Sequence, residues 1–114
     1  MLSELSVRDL ALIEAATVEL GPGLNVVTGE TGAGKSLFVG ALEMLLGLAP
    51  KGGAAQWVRG GAKEARVEGR IVAADATLAA RLDAVLATEC PEIHAEWRAD
   101  RATDRSSSSC LAAR

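Results

Sequence analysis

The residues best suited to chemistry are Gly29-Glu30-Thr31-Gly32-Ala33-Gly34-Lys35-Ser36. They fit the pattern G-x-x-x-x-G-K-[ST], a loop that holds phosphates. Glycine permits positive φ and lets backbone N–H groups approach an anion with no Cβ in the way. A helix starting directly after such a loop adds unpaired N–H groups and a dipole that favours negative charge. In this pattern Lys35 is the expected catalytic residue, neutralising charge on the β- and γ-phosphates. Ser36 is the expected ligand of Mg²⁺.

Hydrolysis needs more than a phosphate loop: a second carboxylate must hold Mg²⁺ and a base must orient water. One candidate exists, Asp75 at the end of Ile71-Val72-Ala73-Ala74. The strand leading to it alternates charged and small residues, whereas a metal-binding carboxylate of this kind ends a strand buried on both faces. Asp75 therefore reads first as a helix N-cap.

The elements that must position the loop are legible on both sides of it. Residues 2–9 and 12–20 alternate as two strands, and Gly21-Pro22-Gly23 marks a turn. Leu24-Asn25-Val26-Val27-Thr28 is expected to be a buried strand running into the loop. Ser36 to Leu46 reads as a helix stopped by Gly47, apolar nearly all round and so expected to be buried. Gly40 within it either lets the helix approach a strand closely or is a neutral accident. Residues 47–62 form a glycine-rich loop with a short helical turn near Ala55–Val58, where Trp57 covers the core edge. Residues 64–73 are the plainest strand, with Glu64, Arg66, Glu68 and Arg70 on a wet face. A helix follows from Asp75 to Glu89, with Leu78, Leu82, Val85 and Leu86 on one side. Residues 90–114, with Pro91 and the run Ser106-Ser107-Ser108-Ser109, are expected to be a weakly structured or disordered tail. His94, the only histidine, is not read as a ligand. Two units result: a lobe over residues 1–89 and a tail over 90–114.

Composition sets limits. The chain has 114 residues, 49% hydrophobic and 24% charged, enough for one small domain with a modest core. A net charge of −3 supplies no basic surface for nucleic acid. Cys90 and Cys110 lack metal-ligand spacing and read as reduced thiols. The apolar run Leu37–Leu48 is too short to span a bilayer. A soluble cytoplasmic protein is expected, with no membrane partner.

Two strands and a Gly-Pro-Gly turn ahead of the phosphate loop resemble an ATP-binding-cassette head. The wording narrows this. Leu10-Ala11-Leu12-Ile13, the run from Gly21 through Ser36, Ala41-Leu42, Leu45-Leu46-Gly47 and Val58-Arg59-x-Gly61-Ala62 resemble the start of the RecN family, SMC-like ATPases of bacterial double-strand-break repair. The resemblance covers roughly residues 1–75. It implies an α/β P-loop NTPase fold: a partial head lobe with N-terminal antiparallel strands, a P-loop strand–helix unit and a further strand and helix. It implies ATP and Mg²⁺ as cofactors, with Gly32 to Ser36 cradling phosphates and the Leu37 N–H on the α-phosphate. It also implies DNA as a partner, a nucleoid-associated location and a homodimer of heads sandwiching ATP. Arg8 and Asp9 would approach the nucleotide. The chain has no glutamine loop, coiled coil, signature motif or second carboxylate strand, so it is expected to be an N-terminal fragment or a frameshift product that binds ATP without efficient turnover. Two other readings compete: a compact P-loop phosphotransferase or GTPase with Asp75 on Mg²⁺, and a fragment with no stable fold.

Overall fold

Alternation of apolar and charged residues builds the sheet on which everything else rests. The computed structural model describes residues 1–30, 34–48, 52–72, 75–86 and 92–112. Its strands are β1 (Leu2–Leu10), β2 (Ile13–Glu19), β3 (Glu64–Val72), β4 (Glu92–Asp100) and β5 (Arg105–Ala112). They form a five-stranded sheet in the order β2-β1-β3-β4-β5, antiparallel throughout. Helix α1 (Lys35–Leu45) follows the phosphate loop, a short 3-10 turn covers Ala55–Trp57, and α2 (Ala76–Leu86) lies between β3 and β4 in the chain.

One face of the sheet makes the core. Leu5, Val7 and Leu10 of β1, Ala65 and Val67 of β3, and Ala95, Trp97 and Ala99 of β4 are buried there with Ala41 and Met44 of α1. Small residues fill much of that face, so α1 lies close against it. An alanine Cβ at Gly69 would stand 2.3 Å from Leu45 Cδ2, so this bare position in β3 lets the last turn of α1 settle on the sheet. Gly40 does a different job from the one expected. Its missing side chain makes room for the Trp57 ring, whose Cη2 would be 3.1 Å from an added Cβ.

Helix α1 ends as its sequence predicts. Gly47 takes φ 84°, its N–H donates to the Met44 carbonyl at 3.0 Å, and the Leu48 N–H donates to Glu43 at 3.0 Å. That is a Schellman closure of the last carbonyls. The helix is not buried all round, however: Val39 and Leu46 are exposed, because only one side of it meets the sheet.

The expected strand at 24–28 is not formed. Asn25 turns its side chain back on the glycine turn, accepting from the Gly21 N–H at 3.0 Å and donating to the Gly21 carbonyl at 2.9 Å. Leu24 and Val26 stay 90% and 72% exposed. A doubly buried strand draws its stability from neighbours on each side, and among the described residues no strand lies beside this one.

Residues 92–112 also depart from expectation. They are not a weakly structured tail: β4 pairs with β3 along its whole length, and β5 pairs with β4. His94 and Trp97 consequently face opposite sides of a strand. The turn between β4 and β5 grips the glycine-rich loop. Asp104 accepts from the Ala55 N–H at 2.6 Å, and Arg101 donates to the carbonyls of Val58 and Arg59 at 2.6 and 2.8 Å.

Candidate functional site

The site is the junction between the irregular segment ending at Glu30 and the start of α1. Gly34 is the N-cap residue of α1, with φ 100° and ψ 0°. That left-handed conformation suits glycine and is costly for other residues. The Phe38 N–H closes the first helical turn on the Gly34 carbonyl at 2.9 Å. The N–H groups of Lys35, Ser36 and Leu37 precede it and have no partner within the helix. No side chain caps this end, and no acidic residue lies in the first turn. Aligned N–H groups and the positive end of the helix dipole are thus left for an outside anion.

Lys35 is exposed, and its ammonium folds back to donate to the Gly29 carbonyl. This bond spans six residues and ties the first glycine of the motif to its lysine. It also parks the cation beside the helix N-terminus. Ser36 is exposed at the same end, with its hydroxyl accessible. Leu37 is half-buried and Glu30 is exposed. Thr31, Gly32 and Ala33 lie outside the described residues.

The donor set suits a magnesium-bound polyphosphate. It offers one ammonium, one hydroxyl and free backbone N–H groups, with no competing carboxylate in the first turn of the helix. Ser36 would hold Mg²⁺ arriving with the phosphates, an ion that supplies charge neutralisation there.

Other candidates fall away from this junction. Asp75 accepts from the Leu78 N–H at 2.8 Å, so its carboxylate caps α2. Arg8 lies in register with Arg66 on the charged side of the sheet, opposite to the side that α1 covers. The Asp9 carbonyl accepts from the Arg59 N–H at 2.8 Å, binding β1 to the glycine-rich loop. Cys90 lies outside the described residues, as do Ala73 and Ala74. Lys35 folding back on Gly29 is a contact that the motif alone does not disclose.

Comparison with known proteins places these observations. A family model described as an AAA domain matches residues 4–77. The DNA repair protein RecN of Streptomyces coelicolor is 52% identical over 78 residues, which is 68% of this chain and 13% of that protein. RecN of Halalkalibacterium halodurans is 49% identical over 72 residues, 63% of this chain and 12% of its own length. RecN of Mycobacterium leprae is 43% identical over 88 residues. The chain therefore spans about an eighth of the relatives it matches, in keeping with an N-terminal part of such a protein. Among solved structures, the recombination mediator protein RecF bound to ATP superposes with a TM-score of 0.72 over 97% of this chain and 26% of its own, at 17% identity. That likeness extends through β4 and β5 and concerns the fold. Among the described residues no helix is long and apolar enough to cross a membrane. With the model matched across well over half of its residues, and an uncapped helix start at the glycine-lysine-serine end of its loop, the chain belongs to the AAA domain family.

Proposed function

We propose that this chain is the ATP-binding N-terminal part of a RecN-like ATPase of DNA double-strand-break repair and recombination. The observation that carries the reading is the Lys35 ammonium folded back to the Gly29 carbonyl at the open N-terminus of α1. Identity of 43–52% to RecN proteins across this region supports the repair assignment. The fold shared with RecF–ATP supports ATP as the nucleotide. Gly29 to Leu37 would wrap the phosphates, Lys35 would leave the Gly29 carbonyl for the β- and γ-phosphates, and Ser36 would ligate Mg²⁺.

Turnover needs partners for this half-site. Asp75, the carboxylate a compact phosphotransferase or GTPase would use, is engaged as the cap of α2. A second head, facing the phosphate loop across a homodimer, would complete hydrolysis, and DNA would be the partner of the whole cytoplasmic assembly. The direct test is titration with a fluorescent ATP analogue and Mg²⁺. The expected result is saturable binding that weakens at least tenfold in Lys35→Ala. Binding indifferent to that substitution refutes the assignment.

A further inference from the structure

On the three central strands, the side of the sheet turned away from α1 is mostly charged. Register lays Arg8, Arg66 and Arg98 side by side across β1, β3 and β4, and in the next row sets Glu68 directly opposite Glu96. Like charges in direct cross-strand pairs repel. Arg66 offsets this in part, reaching Glu64 at 3.3 Å, Glu68 at 3.4 Å and Glu96 at 4.0 Å, and Arg98 also pairs with Glu96. His94 stands two residues before Glu96 on the same face of β4. Ligand atoms of Glu68, His94 and Glu96 all lie within 4.8 Å of one another. The set is half-buried, with the Glu96 side chain only 15% exposed and that of Glu68 31%.

We propose that Glu68, His94 and Glu96 form a binding site for a divalent transition-metal ion of the zinc class, which staples β3 to β4. Three donor atoms no more than 4.8 Å apart fit within a circle of radius about 2.8 Å, against about 2.0–2.2 Å for zinc bonds to His and carboxylate. Side-chain rotation closes that gap, because the ladder already holds the two strands in register. An imidazole with two carboxylates suits zinc and its neighbours, whereas Ca²⁺ and Mg²⁺ favour a larger, all-oxygen shell. Three protein donors leave a tetrahedral position for water. Arg66 holds both carboxylates by one oxygen, the kind of outer partner that orients metal-ligating carboxylates. Spacing along the chain hides this set, since Glu68 is distant in sequence from His94 and Glu96. The site lies across the sheet from the phosphate loop and does not depend on the nucleotide reading.

The test uses the full chain, stripped by chelator and titrated with Zn²⁺ without nucleotide, read by competition with a chromogenic chelator. One equivalent is expected to bind, and millimolar Mg²⁺ should not displace it. His94→Ala and Glu68→Gln should each weaken binding at least tenfold, with folding checked by far-UV circular dichroism. Glu68→Gln keeps size and hydrogen bonding, so it gives the answer should His94→Ala fail to fold. A Cys90→Ser/Cys110→Ser variant should bind as the parent does. No saturable binding, binding unchanged in the folded ligand variants, or binding lost with the cysteines overturns the site.

Discussion

Replacing Gly69 with alanine tests how closely α1 is seated on the sheet. The new Cβ would stand 2.3 Å from Leu45 Cδ2 and 3.1 Å from Leu2 Cδ1, so Leu45 must move. Overpacking of this kind costs about 1–3 kcal/mol. Replacing glycine in a strand interior returns roughly 0.5–1 kcal/mol. The net expectation is a loss of about 1 kcal/mol in the parent chain. Leu45→Ala alone should cost about 2 kcal/mol, the low end of the range for leucine truncation, because Leu45 is only partly buried. With Leu45 truncated its clash disappears and only Leu2 Cδ1, the flexible end of a side chain, has to give by a few tenths of an ångström, so Gly69→Ala should become stabilising by roughly 0.5–1 kcal/mol. The coupling between the two sites is then about 2 kcal/mol, within the span measured for residues in contact. Urea unfolding of the parent, both single variants and the double variant, followed by far-UV circular dichroism, reads it directly. Additivity within about 0.5 kcal/mol would refute the close approach of α1 to β3.

Two further substitutions probe the rest. Asp75→Ala removes the α2 cap and should cost about 1 kcal/mol in unfolding free energy, while affinity for MgATP stays within twofold; a loss of Mg²⁺-dependent nucleotide binding would return Asp75 to the metal site. Trp97→Ala empties the largest fully buried side chain and should cost about 3–5 kcal/mol; a cooperative transition unchanged in midpoint would show that β4 is not part of the core.

Local chemistry was legible wherever one residue's conformation or one short period decides the outcome. Gly47 ends α1, Asp75 caps α2, and the alternation of Glu64 to Ile71 makes β3, all as read from sequence. The glycine spacing of residues 29–36 was legible as a phosphate-loop pattern, and a family model described as an AAA domain spans it. Context-dependent features were hidden. Leu24 to Thr28 has the composition of a buried strand but lacks neighbours among the described residues, and composition does not report neighbours. In β4 the alternation was present: Ala95, Trp97 and Ala99 face inward while His94, Glu96 and Arg98 face out. It was masked because alanine carries little hydrophobic signal and a serine run follows. Those alanines become core only because Trp97 and α1 fill the space above them. At Gly40 a close approach to a strand was expected, but the group that approaches is Trp57, on a loop whose path no periodicity reveals.

The sheet order has a kinetic consequence. The β1–β2 and β4–β5 pairs close across short turns, whereas β1 meets β3 only by joining Arg8 to Arg66 and Leu2 to Ile71. Enlarging a closing loop from about 4 to about 60 residues costs roughly 2 kcal/mol more in chain entropy. The two hairpins therefore precede the β1–β3 closure, and the phosphate loop with α1 lies inside the segment that closure encloses. Helix α1 packs on β3 and β4, strands that lie well beyond it in the chain, so its seat forms late in a fold dominated by distant contacts. A nucleotide held at its N-terminus stabilises an interaction made late. It should lower the unfolding rate of the domain while leaving the folding rate almost unchanged.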